Sequence, residues 1–80
     1  MKVDERLAAY AHEAWVGWMR YLFYRSQKKD DGSMVIPADL VERWERQMNT
    51  AYVDLPEAEK QSDRVEALKI MKIIHGDWDR

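Results

Sequence analysis

The chain has 80 residues, of which 46% are hydrophobic and 35% charged, and its net charge is −2. This length gives one domain, so a cleft between two domains is excluded, and the composition is that of a globular chain. There is no cysteine, which excludes a disulfide framework and a thiolate metal site. Four tryptophans in so short a chain are expected to fill much of a small core, and a second copy could supply further burial.

The first predicted helix runs from Asp4, a candidate N-cap, to about Ser26. Its apolar face is wider than one partner helix needs. Gly17 lies in the middle of this face and costs about 1 kcal/mol relative to alanine. It marks either a crowded helix crossing or a place where another backbone or a ligand approaches. Two neighbouring stripes make up the face: Leu7, Ala11, Ala14, Trp18 and Leu22, and beside them Ala8, His12, Trp15, Met19 and Phe23.

Two further helices follow a polar turn at residues 27–33 and a short extended segment at residues 34–36. Pro37 opens the second helix, which ends at Asn49 and Thr50, and Pro56 opens the third, which Gly76 stops. The sequence therefore predicts an all-α fold of three helices with an extended, proline-containing connector. Residues 1–80 form one domain with its core at about residues 4–76 and a tail at 77–80. The predicted apolar stripes are Leu40, Val41, Trp44 and Met48 in the second helix, and Val65, Leu68, Met71 and Ile74, widened by Ile70 and Ile73, in the third.

The residue types exclude most enzyme chemistry. His12 and His75 lie in different helices, and the three glycines are isolated, so neither a paired-histidine metal motif nor a glycine-rich phosphate loop is present. Arg43 and Arg46 alternate with Glu42 and Glu45, which is typical of a solvated helix face and argues against nucleic-acid binding. We expect a protein that is not an enzyme and uses no cofactor or metal. No apolar run is long enough for a membrane span and no signal peptide is recognisable, so a cytoplasmic location is expected.

Four features could carry binding. His12 and Trp15 share a helix face, and Trp18 lies one turn further along. An indole can stack on a base, and an imidazole can bind a ribose or phosphate. His12 and Trp15 could instead be core residues. The segment 52–64 contains Tyr52 and presents Lys60 and Arg64 four residues apart, which could hold phosphates. Nearby carboxylates could equally occupy these two cations: Glu57, or Glu59 and Asp63. Trp44 is predicted to be core, and Trp78 either folds back or marks an interface.

These segments resemble the RyR domain, the small helical repeat named after ryanodine receptors and also found in bacterial and viral proteins. The family's Ala-x-x-His-x-x-Trp core stands here at residues 9–15, and its Asp-Asp turn followed by proline and Leu-Val at residues 30–41. Its aromatic-x-x-Leu-Pro-Glu-x-Glu-Lys-x-x-Asp-Arg segment stands at residues 52–64. The family's Gly-Trp-x-Tyr-Gly-Pro stretch is replaced by Arg20–Tyr24, and the second helix is longer. In both respects the chain is similar to compact RyR-like proteins of bacteriophages.

The resemblance implies ligand binding without chemistry. RyR repeats in the channel occur in tandem and contribute an adenine-nucleotide site with tryptophan stacking, and bacterial members are proposed to recognise nucleotide signals of immune systems. By this resemblance Trp15 is the stacking residue and His12 its polar neighbour, with Tyr52, Lys60 and Arg64 matching the second motif; Trp18 is added from the helix pattern. The expected function is a phage-encoded, homodimeric or higher-order sponge in the host cytoplasm that sequesters an ADP-ribose-type or cyclic-nucleotide signal. The alternative is a phage or host protein-interaction module, an inhibitor or adaptor without a small-molecule ligand.

Overall fold

A computed structural model of the chain describes residues 1–76, and its first element is a long helix, α1 (Val3–Arg25). The predicted N-cap is wrong by two residues, because Lys2 occupies that position and makes no side-chain cap. Asp4 lies in the first turn instead, where its carboxylate accepts a hydrogen bond from the Glu5 amide at 2.9 Å and suits the positive end of the helix dipole. At the other end the Ser26 hydroxyl donates to the Leu22 carbonyl at 2.7 Å.

A small antiparallel hairpin, absent from the sequence prediction, follows α1. Strands β1 (Gln27–Lys28) and β2 (Met34–Val35) pair with Gln27 opposite Val35. Gly32 has a φ of +91°, which L-residues with a side chain rarely adopt, so the predicted polar turn depends on this glycine. The Asp31 carboxylate accepts hydrogen bonds from the Ser33 hydroxyl and amide, and these bonds hold the pKa of Asp31 below its usual range.

Proline and glycine set the bounds of the other helices as predicted. Pro37 precedes α2 (Ala38–Met48), and Pro56 precedes α3 (Glu57–Ile74), each with extended backbone at the proline. A 3-10 turn (Tyr52–Asp54) interrupts the predicted linker between them. Gly76, with a φ of +78°, follows the end of α3. The all-α prediction with three helices is confirmed.

The core is smaller than the sequence suggests. Within residues 1–76, Leu40 of α2 and Ile73 of α3 are the only buried hydrophobic residues. The predicted apolar stripe of α3 is exposed by 42–55% at each of its four positions, so it does not face the core of the single chain: Val65, Leu68, Met71 and Ile74. The side of α3 that meets α1 instead carries Glu66, Lys69 and Ile70. Trp44, also predicted to be core, is half-buried.

Ion pairs connect the helices where apolar contacts are few. Arg25 of α1 binds Asp39 of α2 at 2.9 Å, and Arg46 of α2 binds Glu59 of α3 at 2.6 Å. The Arg46 guanidinium holds the pKa of Glu59 below its usual range. Surface pairs of this kind stabilise a fold weakly, because solvent screens them and both side chains lose conformational freedom. The sequence pattern places Arg46 beside Glu42 and Glu45 on a solvated helix face. In the structure Arg46 instead links α2 to α3 through Glu59.

The molecule is flat and open. Its radius of gyration is 16.0 Å, against about 11.6 Å for a compact domain of this length, and its principal extents are 44 × 34 × 17 Å. A single chain therefore does not form the compact domain that the RyR resemblance implies. None of the helices within residues 1–76 is both long and apolar enough to cross a membrane.

Candidate ligand-binding site

His12 and Trp15 form a pair on the surface of α1. Their ring centroids are 6.1 Å apart and their planes are inclined by 30°. Helical spacing of three residues brings them to one side of α1. His12 is exposed, and 52% of Trp15 is exposed, so neither side chain belongs to the core of the single chain. Of the two interpretations left open by the sequence, the core interpretation does not hold for the single chain. A flat indole surface with a neighbouring imidazole is open to a ligand.

Trp18 lies in a different environment from Trp15. It is 61% exposed and lines two adjoining grooves between α1 and α3, of about 630 and 290 Å³. His12 and Trp15 line neither groove. The tryptophans at positions 15 and 18, grouped by the sequence prediction, therefore face different surroundings.

The second predicted motif forms one cluster at the junction of the 3-10 turn and α3. We call Tyr52, Glu57, Lys60 and Arg64 the Tyr52 cluster. The Lys60 ammonium lies 6.0 Å from the centroid of the Tyr52 ring, at the outer limit of a cation–π interaction. Glu57 accepts from Arg64 at 3.1 Å and lies 3.8 Å from the Lys60 ammonium. The structure thus brings together the three residues of this motif that were predicted from sequence.

Glu57 organises the electrostatics of the Tyr52 cluster. Its carboxylate, and after it the Tyr52 hydroxyl, hold the pKa of Arg64 above its usual range. The sequence left open whether a carboxylate would occupy the two cations, and Glu57 does so for both. Glu59, another candidate, pairs with Arg46. Lys60 is largely covered, since only 18% of its side chain is exposed, whereas 77% of the Glu57 side chain is exposed.

The charges of the cluster favour an anionic ligand. Two cations and one carboxylate leave a net charge of +1 beside an aromatic ring of which about half is exposed. A phosphate can replace the Glu57 carboxylate on Lys60 and Arg64, because the well-exposed Glu57 side chain can turn into solvent. Charge-assisted hydrogen bonds to a phosphate are stronger than neutral ones, and the planar Arg64 guanidinium can bind two phosphate oxygens at once.

A third polar group, which the sequence analysis missed, lies between α1 and α2. Arg25 donates to the Tyr21 hydroxyl and to Asp39, both at 2.9 Å. Hydrogen bonds from Arg43 and then Arg25 lower the pKa of Tyr21. The helical spacing of Tyr21 and Arg25 is a usable signal, but Asp39 is 14 residues away and no local pattern indicates it. Since Asp39 already balances Arg25, this group joins two helices.

No protein-family model, curated protein or solved structure matches the chain. The RyR resemblance therefore rests on the motif residues alone. Within residues 1–76, no hydrogen bond, ion pair or ring contact joins the His12–Trp15 pair to the Tyr52 cluster. That same part of the chain has no group of three or more His, Asp and Glu placed to hold a metal ion. Trp78 lies outside the described residues.

Proposed function

We propose that this protein binds a nucleotide-derived small molecule without transforming it, as a phage-encoded sponge for an ADP-ribose-type or cyclic-nucleotide immune signal. The Tyr52 cluster is the observation that carries the proposal. It combines an exposed aromatic ring with two cations, Lys60 and Arg64, that share one exposed counter-ion. A nucleotide needs these two kinds of contact together, since its base has an apolar face and its phosphates are anionic.

The His12–Trp15 pair supplies a second surface of the same chemistry. Stacking of a base on an aromatic side chain contributes about 1–3 kcal/mol, and this needs an accessible ring. Trp15 meets that condition, because 52% of it is exposed. The two surfaces are separate on one chain, so a ligand with two nucleotide halves, or a second copy of the protein, would allow both to be used. A homo-oligomer is therefore part of the proposal.

Calorimetric titration against ADP-ribose isomers and cyclic dinucleotides tests this function. We expect Arg64→Gln and Lys60→Gln each to weaken binding at least about tenfold, because each removes one charge-assisted phosphate contact. Lys72→Gln is the matched control, since Lys72 is an exposed cation of the same helix outside the cluster. If none of these ligands binds the folded protein, or if Lys72→Gln weakens binding as much as the cluster variants, the proposal is wrong.

Trp15→Ala separates a binding role from a structural one. The half-exposed indole makes few core contacts, so the variant is expected to fold with the circular dichroism spectrum of the wild type. Ligand affinity should fall about 5- to 150-fold, as the loss of one stacking contact requires. A folded variant with unchanged affinity would remove Trp15 from the site. An unfolded variant would show that the indole is needed for folding and would contradict its surface position.

A protein-interaction module remains the second candidate function. Val65, Leu68 and Met71 form an exposed apolar stripe on α3, each at least 42% exposed, which is the pattern of a helix face that binds another protein. Two measurements distinguish the functions. Nucleobase absorbance released when the purified protein is denatured favours the nucleotide proposal. A stoichiometric partner that is lost in Leu68→Glu, with no nucleotide retained, favours the interaction module.

A further inference from the structure

The single chain exposes more surface than a folded monomer of its size. Its accessible surface is 6649 Å², whereas a compact monomer of 9.6 kDa exposes about 5,100 Å². The excess is about 1,500 Å². Residues 77–80 do not account for it: if they were fully extended and left out, an excess of about 950 Å² would still belong to the rest of the chain. The large radius of gyration leads to the same conclusion by an independent measure.

The size of the excess matches what a stable dimer covers. A standard protein interface buries about 800 Å² on each partner, and obligate homodimers bury about 1,000–2,500 Å² on each. An excess of about 950–1,500 Å² lies at the lower end of the obligate range. One further copy of the chain is therefore enough to bring its exposure down to that of an ordinary folded protein.

The adjoining grooves between α1 and α3 are the concave part of this surface. We call them together the α1/α3 groove. The smaller one is almost wholly apolar, and Trp18, at 61% exposed, lines both. Exposed aromatic side chains beside a concave apolar surface are typical anchors of protein interfaces. The smaller groove is lined by Leu7, Tyr10, Ala11, Ala14, Trp18, Glu66 and Ile70.

Small residues leave the α1 side of the groove open to a helix of another molecule. Ala9, Ala14 and Gly17 lie along the larger groove, and a Cβ built on Gly17 would meet no atom within 4 Å. The crowded crossing that could have explained Gly17 is therefore absent within residues 1–76. Close approach of a helix backbone needs such positions, because bulky side chains would hold the two helices apart.

The charges around the groove suit a second copy. Arg6 and Lys69 provide two positive charges, and Glu13 and Glu66 provide two negative charges. The side-chain charges of this lining cancel, so two copies meet without accumulating side-chain charge of one sign. A strongly charged partner, such as nucleic acid, would gain nothing from it. A two-fold interface uses the same patch on both molecules, and a neutral patch with both signs is compatible with itself.

We propose that a second copy of this chain packs into the α1/α3 groove, giving a two-fold symmetric homodimer anchored by Trp18. This groove is the contact surface of the homo-oligomer that belongs to the proposed nucleotide-binding function. The evidence for the dimer is its surface area, shape and charge, and none of it depends on nucleotide binding. The His12–Trp15 pair and the Tyr52 cluster line neither part of the groove, so they stay outside the proposed anchor surface. Dimerisation without any nucleotide is therefore expected.

The mass of the protein in solution tests the proposal. Sedimentation equilibrium of the wild type, without ligand, should give a reversible dimer at micromolar concentration. Ala11→Glu places a carboxylate at an exposed helical position inside the groove and should raise the dimer dissociation constant at least about 100-fold, because the interface would bury an uncompensated charge. Leu68→Glu is the matched control on the exposed α3 stripe and should leave the mass unchanged. A monomeric wild type, or a dimer lost only in Leu68→Glu, overturns the proposal.

A second measurement does not require the interface to be broken. The chain has no cysteine, so Ala11→Cys introduces a single thiol into the groove by a small change. Its reaction with a maleimide should slow at least about tenfold from dilute to concentrated protein. The thiol of Leu68→Cys should react equally fast at both concentrations. Equal reactivity of both thiols at all concentrations contradicts the groove as the interface, and it leaves the nucleotide titrations unaffected.

Discussion

Gly17→Ala is expected to stabilise the isolated chain. Gly17 is the fifteenth of the 23 residues of α1, well inside the helix, and a Cβ there would meet no atom within 4 Å. Glycine in a helix interior costs about 0.8–1.0 kcal/mol relative to alanine, because the unfolded glycine backbone has more freedom to lose. With no clash to subtract, the free energy of unfolding should rise by about 1 kcal/mol. For a domain of this size the midpoint of thermal unfolding should rise by about 4–8 °C.

Gly32→Ala is the matched control with the opposite expected sign. Its Cβ also has open space, but its φ of +91° is unfavourable for alanine, so the variant should lose about 1–2 kcal/mol. Both variants are measured by urea unfolding followed by far-UV circular dichroism at a concentration below the range in which the dimer is expected. The reasoning is refuted if Gly17→Ala is neutral or destabilising at that concentration while Gly32→Ala behaves as expected. A gain that shrinks as the concentration rises would place a second molecule against Gly17.

Two further predictions follow from the core and the ion pairs. Ile73→Ala should cost about 2–5 kcal/mol, since Ile73 is fully buried, and this is a large part of the total stability expected for 80 residues; urea unfolding measures it. Glu59→Gln should lower the thermal midpoint at neutral pH, because Arg46 depresses the pKa of Glu59 in the folded state. The difference from the wild type should be complete above the unfolded pKa of about 4.3 and vanish as the pH falls through the lower folded value. A difference that stays constant with pH would contradict the ion-pair explanation.

The helix bounds could be predicted from the sequence because local signals decide them. Pro37 and Pro56 favour a helix that starts after them and disfavour a helical conformation in the residue before them. Gly76 takes a positive φ after His75, the C-cap of α3. The hairpin was missed because two paired residues on each side leave no alternation of polar and apolar positions to detect. The N-cap was misplaced because Asp4 is equally suited to a cap and to the first turn.

The side of α3 that faces α1 could not be read from periodicity. Apolar residues occupy most of its circumference over residues 65–74, so several stripes fit a helical period equally well. Contact with α1 uses the side of Glu66 and Ile70, where α1 offers alanines and a glycine to a shallow groove. The stripe of Val65, Leu68 and Met71 is more regular but faces outward. A helix with apolar residues on most of its circumference therefore indicates a second contact surface, but it does not indicate which side faces the core.

The four tryptophans illustrate the same limit for the candidate site. Composition assigns all of them to the core, because a small domain needs large side chains to fill it. Within residues 1–76 the structure buries two aliphatic residues, Leu40 and Ile73, and leaves Trp15 and Trp18 more than half exposed. An exposed indole keeps apolar surface in water and gains no packing, so the two exposed tryptophans favour a ligand or a partner that covers them. Their different surroundings suit different partners. Trp18 lies in the groove proposed for a second copy of the chain, and Trp15 lies beside His12, where a base can stack.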